Sequence, residues 1–527
     1  MSALNTPCTP IPSPVDRTLD AQLARLARER PDHCALWWRD TEAASAGTAD
    51  FTYRQLHALS RAAATRLRTL HGVQRGDRVA WLGLSHPAQL VCLFALAELG
   101  ATLVPLNHRL SAVEWQSVLA DCTPALLIHD THWRDAARAL AQQTGTPCVS
   151  AEGFTEAPAP APQTTATPED LWHQPLLLVY TSGTTGLPKA AVHTQGNLLS
   201  NMAIAARTQG LTANDTVLTI LPLFHVGGLC IQTLPTLSVG GTVLLLSRFE
   251  AKATLDAIEQ RRPTLTLQVP ATLKALYELP DWPSADVSSL RAVWAGSSVL
   301  PPAALEGFHQ RHIPVCNVYG STETGPFSIA LPPDHAHSHA GSCGWPAPGV
   351  EVKLCDPHGA EVPTGRVGEL CIRAPNVAQR YWPDQPVVDA QGYFHSGDLA
   401  RQADDGSFTV VGRSKDMIIS GGENIYPAEI ENALILHPLV SECAVVAQPD
   451  PRWGEVAVAV VVLAPGTHEG DGWADPLQAH LATRLARYKQ PRKWVAVPGL
   501  PKTALGKVQK AALKALLSSD PPQASPV

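Results

Sequence analysis

Residues 180–190 read Y-T-S-G-T-T-G-L-P-K-A, and no other segment constrains the fold of this chain as strongly. An apolar run at 176–179 precedes them and predicts a buried strand. A pattern with apolar residues on one helical face follows at 198–206. The segment is therefore predicted to be a turn, rich in glycine and hydroxyl residues, between a strand and a helix. Backbone N–H groups and hydroxyls in such a turn can surround phosphate oxygens.

The turn carries a set of candidate phosphate-binding residues: Thr181, Ser182, Gly183, Thr184, Thr185, Gly186 and Lys189. The common nucleotide-hydrolysing loop needs a Ser or Thr directly after its lysine to hold magnesium. Ala190 stands at that place, so this is a different kind of loop. A glycine-rich turn without a ligand would explain Gly183 and Gly186 but not the hydroxyl residues and the lysine together.

The chain has 527 residues, which is too long for one compact core, so two or more domains are expected. Helix-like and strand-like segments alternate, as at 58–70 and 78–83, which predicts an α/β architecture. Residues 1–16 and 518–527 are predicted to be disordered, and the Pro-rich stretch 156–168 is predicted to be a stiff linker.

Composition excludes several classes of protein. A hydrophobic fraction of 45 % with 17 % charged residues is typical of a globular enzyme. The formal net charge of −7 disfavours nucleic acid as a partner. The eleven cysteines are scattered and include no C-x-x-C pair, which fits reduced thiols in the cytoplasm. No apolar run reaches the roughly 18 residues of a membrane span, and no signal-peptide pattern is seen. We therefore expect a cytoplasmic protein without a membrane span.

Four further segments carry side chains suited to a nucleotide substrate. They are 221–229 (L-P-L-F-H-V-G-G-L), 317–325 (N-V-Y-G-S-T-E-T-G), 393–399 (Y-F-H-S-G-D-L) and 500–510 (L-P-K-T-A-L-G-K-V-Q-K). In the second, a Tyr can stack on a base, a Thr can bond a phosphate oxygen and a Glu can hold magnesium. In the third, a carboxylate can accept both hydroxyls of a ribose diol.

In this order, the five motifs resemble those of the adenylate-forming superfamily of acyl- and aryl-CoA synthetases, firefly luciferase and peptide-synthetase adenylation domains. The resemblance extends from near Asp20 to near Leu517. It implies a large N-terminal multi-sheet α/β domain, residues 1–412, and a small mobile α+β C-terminal domain, residues 413–527, with a hinge at Lys415.

The resemblance implies a role for each residue of the nucleotide site. Tyr319 would lie against adenine, Thr322 on a phosphate and Glu323 on Mg²⁺. Asp398 would hold the ribose, and Arg413 would contact ribose and phosphate.

An acyl pocket is implied at His225, Gly227, Gly228, Gly296 and Gly320, and Gly296, Ser297 and Ser298 would form a small-residue stretch between adenine and acyl group. Relatives that activate amino acids carry an Asp, which pairs with the substrate ammonium, where His225 stands. A largely apolar pocket for a monocarboxylic acid is therefore expected. A core histidine beside a packed turn is the alternative interpretation of His225.

The resemblance also implies residues for catalysis and for CoA. Lys507 would bridge the attacking carboxylate and the α-phosphate, where a compact charge can neutralise a crowded phosphoryl group. Gly421 and Gly422 would contact the CoA pantetheine, Trp453 would pack on the CoA nucleotide, and Arg109 is a candidate for a CoA phosphate. Aryl-CoA ligases can carry a CoA-binding arginine where Gln490 stands, so that part of the CoA site departs from the pattern.

The function implied is that of an acid–thiol ligase, an ATP-dependent acyl- or aryl-CoA synthetase that uses ATP, Mg²⁺ and CoA. A carboxylate attacks ATP to give an acyl-adenylate and pyrophosphate, and CoA then displaces AMP after the small domain turns, exchanging Lys507 for Gly421 and Gly422. The expected partners are a small carboxylic acid, ATP and CoA, with a homodimer as a further candidate assembly. Transfer to a carrier protein, a luciferase-like oxidation and a non-catalytic relative are the alternatives. The last would be expected to lose Lys507, Glu323 or Asp398, and all three are present.

A histidine-rich stretch with His335, His337 and His339 invites a zinc assignment, and Cys343 lies nearby. Alternation would put three imidazoles on one face, but no fourth ligand is evident. No metal site is therefore predicted there.

Overall fold

The computed structural model describes residues 17–42, 47–155, 171–182, 188–296, 302–420, 423–467, 472–502 and 508–519. The predicted disorder at 1–16 and the predicted linker at 156–168 lie outside these residues. The last described helix ends at Ser519, and residues 520–527 of the predicted disordered tail also lie outside the described residues.

Helices are distributed along the whole described chain. The α-helices are α1 (Leu19–Glu29), α2 (Tyr53–Leu70), α3 (Pro87–Leu99), α4 (Ala112–Cys122), α5 (Arg134–Thr144), α6 (Gln195–Gln209), α7 (Leu234–Ser238), α8 (Ala251–Arg261), α9 (Pro270–Tyr277), α10 (Pro302–His309), α11 (Pro427–Leu434), α12 (Ala474–Ala482) and α13 (Lys510–Ser519). Short 3₁₀ turns occur at Ala151–Phe154, Pro333–His335, Ser414–Asp416 and Arg487–Lys489, and a π-helix occurs at Gly227–Thr233. Among the described residues, none of the helices combines the length and the apolar character needed to cross a membrane.

The strands follow the chain in this order: β1 (Cys34–Arg39), β2 (Thr48–Thr52), β3 (Arg78–Leu82), β4 (Thr102–Leu106), β5 (Leu126–His129), β6 (Cys148–Ser150), β7 (Pro175–Ser182), β8 (Pro188–Thr194), β9 (Thr216–Thr219), β10 (Thr242–Leu246), β11 (Leu265–Gln268), β12 (Ala292–Gly296), β13 (Val315–Tyr319), β14 (Ile329–Ala330), β15 (Trp345–Pro346), β16 (Glu351–Cys355), β17 (Val367–Arg373), β18 (Arg380–Tyr381), β19 (Gln385–Pro386), β20 (Phe394–Gln402), β21 (Phe408–Arg413), β22 (Ile418–Ser420), β23 (Glu423–Ile425), β24 (Val440–Asp450), β25 (Gly454–Leu463) and β26 (Lys493–Ala496).

Two large sheets form the N-terminal part of the chain. One has nine strands in the order β15-β14-β13-β12-β11-β9-β10-β1-β2, and the other has eight in the order β19-β18-β8-β7-β4-β3-β5-β6. Their central strands run parallel, with antiparallel pairs at the edges. A shared core joins Leu36 of β1, Trp81 of β3 and Leu93 of α3. Helix α3 is buried on every side because its sequence is almost entirely apolar.

Two smaller sheets follow. Strands β16, β17, β20 and β21 form an antiparallel sheet, and β22–β26 form another around the long β24–β25 pair. The predicted fold class, a large multi-sheet α/β domain followed by a smaller α+β domain, is confirmed. The predicted boundary at 412 falls at the end of β21, and the boundary and the mobility of the smaller domain stay predictions.

The predicted setting of the phosphate loop is corrected by the structure. The loop joins two antiparallel strands, β7 and β8, and Ser182 pairs with Pro188 across it. Helix α6 begins only at Gln195, where the Thr194 side chain accepts a hydrogen bond from the Asn197 N–H and completes a capping box. The short apolar run before Thr194 extends as a strand because it pairs with β7.

Candidate active site

The candidate site is organised around the turn that follows β13. Strands β12 and β13 are parallel neighbours in which Gly296 pairs with Val318, so both strands end at one edge of the nine-stranded sheet. The carboxyl ends of parallel strands are where open α/β sheets bind ligands. Residues 319–323, which were predicted to bind the nucleotide, therefore emerge at this edge. Ser297 and Ser298 lie outside the described residues.

Three predicted nucleotide-binding residues meet at one carboxylate. The Tyr319 hydroxyl donates to Asp398 Oδ2 at 2.7 Å, and Arg413 Nε donates to Asp398 Oδ1 at 2.8 Å. Asp398 and Arg413 are direct partners across β20 and β21, so the sheet register holds this ion pair. Burial, and then the Asp398 charge, raise the pKa of Tyr319 well above its usual range. Its hydroxyl therefore stays a donor to Asp398.

A second group contains Lys189 and Glu323, which were predicted to hold phosphate and metal. Both contact Tyr381, a residue that was missed in the sequence. The Tyr381 hydroxyl donates to Glu323 Oε1 at 2.8 Å, and Lys189 Nζ lies 5.5 Å from the centre of the Tyr381 ring. The Glu323 carbonyl also accepts from the Ala378 N–H at 2.8 Å. Tyr381 is 58 positions from Glu323, so no local pattern could have revealed it.

His193 is a second missed residue. It lies on β8 with 0 % exposure, and its Nε2 donates to the carbonyl oxygen of Thr322 at 2.8 Å. Burial lowers the pKa of His193 to about 4, so the ring is neutral near pH 7. A neutral ring with its proton on Nε2 ties the strand after the phosphate loop to the turn that carries Thr322 and Glu323.

The described ends of the phosphate loop are held together. Thr181 pairs with Lys189 in the sheet, and the Thr181 hydroxyl donates to the Lys189 carbonyl oxygen at 3.3 Å. The predicted phosphate-binding residues Gly183, Thr184, Thr185 and Gly186 lie outside the described residues, as does the catalytic candidate Lys507.

The predicted acyl pocket begins with His225, whose Nδ1 accepts from the Gly227 N–H at 3.0 Å. A Cβ at Gly228 would lie 2.3 Å from the Pro222 carbonyl oxygen, and one at Gly320 would lie 1.6 Å from that of Pro326. These two glycines accommodate the protein's own backbone at close range. Room for a substrate at Gly228 and Gly320 therefore does not follow from their missing side chains, and their place in the acyl pocket stays a prediction.

Trp453, the candidate for the CoA nucleotide, lies near two guanidinium groups. Arg452 Cζ is 5.0 Å and Arg492 Cζ 4.4 Å from its ring. Ser420 pairs with Gly454, which places Trp453 next to the end of β22. The predicted pantetheine contacts Gly421 and Gly422 themselves lie outside the described residues. Arg492 was missed, although it stands two positions after Gln490, where the departure from the family pattern was noted.

Arg109 and Lys415 are placed on the surface. Arg109 is exposed, and partial burial of its guanidinium, followed by the charge of Arg248, lowers its pKa. Lys415 is exposed in the 3₁₀ turn between β21 and β22. The CoA role of Arg109 and the hinge role of Lys415 stay predictions.

The histidine-rich stretch does not converge on one point. The His337 ring packs on His309 with centres 4.0 Å apart, whereas His335 and His339 both lie against Trp345. Within the described part of the chain, His335 and His339 also lie against each other with ring centres 5.4 Å apart, whereas His337 has a different neighbour. The absence of a zinc site at this stretch stays a prediction.

A different trio, Glu369, Cys371 and His395, brings its ligand atoms within 4.8 Å of one another. The two nitrogens of His395 each lie 3.2 Å from a carboxylate, Nδ1 from Glu369 and Nε2 from Asp389. Both ring nitrogens of His395 therefore already have carboxylate partners within the protein.

Comparison with known proteins decides the family. Residues 23–382 match the family described as AMP-binding enzyme, and residues 429–507 match its C-terminal domain. The chain belongs to the AMP-binding enzyme family. The predicted membership of the adenylate-forming superfamily is therefore confirmed.

Relatives of this AMP-binding enzyme include acid–CoA ligases of similar length. An indoleacetate–CoA ligase of Aromatoleum aromaticum is 44 % identical over 491 residues, which cover 89 % of this chain and 94 % of the relative. A feruloyl-CoA synthase of an Amycolatopsis species is 42 % identical over 474 residues, with 89 % and 94 % covered. The solved structure of an anthranilate CoA ligase with anthranoyl-AMP has a TM-score of 0.85 and 26 % identity, and covers 96 % of this chain and 99 % of that one. The predicted function, an AMP-forming acyl- or aryl-CoA ligase that uses ATP and CoA, is confirmed.

Proposed function

We propose that this AMP-binding enzyme activates an aromatic monocarboxylic acid with ATP and transfers the acyl group to CoA. The observation that carries the proposal is the pair of connected groups at the end of β13, Tyr319–Asp398–Arg413 and Lys189–Tyr381–Glu323. The first suits a nucleoside and the second suits charged phosphates. The aromatic class is supported by the names of relatives above 40 % identity, which include an indoleacetate–CoA ligase and a feruloyl-CoA synthase.

Asp398 is proposed to accept the ribose hydroxyls. Each of its oxygens already accepts one hydrogen bond, from Tyr319 or from Arg413. Because an ionised carboxylate offers about four lone-pair positions, the same two oxygens can accept the two hydroxyls of a diol as well. Tyr319 and Arg413 would then fix the direction in which those remaining positions point.

Glu323 is proposed to hold Mg²⁺ together with the ATP phosphates. The donors fit this ion, since Mg²⁺ is usually bound through one or two carboxylates and the oxygens of substrate phosphates. The Tyr381 hydroxyl donates to Glu323 Oε1, and the Lys189 ammonium lies 5.5 Å from the centre of the Tyr381 ring. Magnesium would supply neutralisation of charge on the phosphates.

The proposed chemistry proceeds in two steps. A carboxylate oxygen of the acid attacks the α-phosphorus of ATP, and pyrophosphate leaves with the electron pair of the broken P–O bond. Lys507 is proposed to neutralise the crowded oxygens during this attack. The sulfur of CoA then attacks the acyl carbon, and AMP leaves as the C–O bond breaks. The indole face of Trp453 suits the adenine of CoA, and the cations Arg452 and Arg492 suit its phosphates.

A panel of acids tests the substrate class. We would measure AMP release with CoA for indoleacetate, ferulate, benzoate, octanoate and several amino acids. Aromatic acids are expected to give the highest kcat/KM, and amino acids are expected to give no ATP–pyrophosphate exchange, because His225 replaces the Asp that pairs with an ammonium. A preference for octanoate, or robust exchange with an amino acid, would contradict the proposal.

A carrier protein is the second candidate acceptor. A fatty acid–[acyl-carrier-protein] ligase of Streptomyces coeruleorubidus is 35 % identical over 480 residues. Free CoA is favoured by the two cations near Trp453, Arg452 and Arg492, which suit a phosphorylated nucleotide. Saturable thioester formation with CoA alone supports this choice, and adenylate formation without any CoA thioester would oppose it. The cytoplasmic location and the homodimer stay predictions.

A further inference from the structure

Tyr381 occupies a fixed position beside the strand that follows the phosphate loop. It pairs with Ala191 of β8, and the N–H of Trp382 donates to the Ala190 carbonyl oxygen at 2.8 Å. The backbone of Tyr381 is therefore anchored to the strand that begins with Lys189.

The same short segment also holds Glu323 at two points. The Ala378 N–H donates to the Glu323 carbonyl, and the Tyr381 hydroxyl donates to Glu323 Oε1, each at 2.8 Å. The main chain and the side chain of Glu323 are thus both tied to residues 378–381. The Tyr381 ring lies near the Lys189 ammonium at the same time.

We propose that Tyr381 is a positioning residue for nucleotide-bound magnesium: its hydroxyl orients the Glu323 carboxylate toward the ion, and its ring steadies Lys189 beside the phosphates. The inference rests on the proposed magnesium role of Glu323. Tyr381 acts through these two neighbours and is assigned no contact with the reacting atoms.

The chemistry of the contact supports this role. A hydroxyl on Oε1 fixes the rotation of the carboxylate and directs Oε2 to one place. A phenolic hydroxyl can donate, whereas an ionised carboxylate can only accept, so the direction of this hydrogen bond is fixed. Groups that orient a metal-binding side chain typically change metal affinity by about 10- to 100-fold when they are removed.

The test measures binding rather than turnover. α,β-Methylene-ATP, which cannot release pyrophosphate, is titrated by calorimetry at a series of free Mg²⁺ concentrations. Tyr381→Phe removes only the hydroxyl, and it is expected to raise the half-saturating Mg²⁺ concentration roughly tenfold. The affinity of this variant for the analogue at saturating Mg²⁺ should stay within about twofold of the wild-type affinity. Tyr381→Leu also removes the ring beside Lys189, and it should weaken binding of the analogue at saturating Mg²⁺ as well.

Tyr393→Phe is a matched control. The Tyr393 hydroxyl donates to Glu351 Oε2 at 3.2 Å, and its ring lies 4.0 Å from Lys353 Nζ. Tyr393 therefore makes the same two kinds of contact at another sheet. Removal of its hydroxyl should leave the Mg²⁺ dependence of analogue binding unchanged. An equal shift in Tyr393→Phe and Tyr381→Phe would overturn the inference.

Glu323→Gln separates this inference from the function on which it rests. If Glu323→Gln shifts the Mg²⁺ dependence and Tyr381→Phe does not, the role of Tyr381 is refuted while the metal assignment stands. If Glu323→Gln causes no shift, the metal assignment fails and this inference fails with it. Should Tyr381→Phe not fold, Tyr381→His keeps a ring N–H donor and is expected to shift the dependence less than Tyr381→Leu. An equal shift in these two variants would refute a donor role.

Discussion

His193→Gln should change how the stability of the enzyme depends on pH. The folded protein lowers the pKa of His193 from its ordinary 6.5 to about 4, because the ring is fully buried. The unfolded chain therefore binds this proton more tightly. Above pH 6.5 the ring is neutral in both states, and its burial does not make stability depend on pH. As the pH falls from 6.5 through the folded value near 4, the unfolded chain takes up the proton first, and the free energy of unfolding decreases.

The size of this effect follows from the two pKa values. The full difference corresponds to about 3 kcal/mol, and roughly 2 kcal/mol of it is already lost at pH 5. Gln cannot titrate, and its amide N–H can replace the Nε2 donor to the Thr322 carbonyl oxygen. The variant should therefore lose less stability than the wild type between pH 8 and pH 5, by about 2 kcal/mol.

Urea denaturation followed by tryptophan fluorescence at pH 8, 6 and 5 measures this difference. His86 and His108, whose pKa values burial also lowers to about 4, contribute equally in both proteins and cancel in the comparison. His358→Gln, an exposed histidine, serves as the control. If His193→Gln and the wild type lose the same free energy of unfolding between pH 8 and pH 5, the claim that burial lowers the pKa of His193 is refuted.

Three further predictions concern the binding residues. Asp398→Asn should raise the KM for ATP roughly tenfold or more, because bonds to a charged carboxylate are lost, while the KM for CoA measured with preformed adenylate should not change. Trp453→Ala should raise the KM for CoA roughly tenfold, as loss of a base-stacking surface does, and leave adenylate formation unchanged. Combined replacement of His335, His337 and His339 by Ala should leave kcat within about twofold and bound zinc unchanged in elemental analysis, since the His337 ring lies against His309 rather than with the other two. Unchanged KM values in the first two variants, or loss of stoichiometric zinc in the third, would contradict these assignments.

The motifs assigned residues from separate segments to one nucleotide site, and the structure brings several of these residues together. Tyr319, Asp398 and Arg413 come from three separate segments, and the structure brings them into direct contact. The long, strongly patterned elements were also predictable. Helix α2 and strand β3 lie where the patterns at 58–70 and 78–83 placed a helix and a strand.

The remaining features depend on contacts that a local pattern does not encode. The loop at 180–190 was predicted to lead from a strand to a helix, and strand β8, which follows the loop, was not predicted. A short apolar run fits either a strand or a helix, and pairing with β7 makes this one a strand. His193 and Tyr381 bond residues that are 129 and 58 positions away. Nothing in their own neighbourhoods distinguishes these two side chains from ordinary core residues.

Separating the two half-reactions tests the central claim most directly. Lys507→Ala should suppress formation of acyl-adenylate and pyrophosphate by roughly two or more orders of magnitude, because a positioned charge on the α-phosphate is lost. When preformed acyl-adenylate and CoA are supplied, the same variant should form thioester at nearly the wild-type rate. Gly422→Leu should show the reverse pattern, since a side chain would fill the path of the thiol, and Lys415→Pro should do the same by fixing the backbone of the hinge. Equal slowing of both half-reactions in all three variants would contradict a mechanism in which the small domain presents different residues to each step.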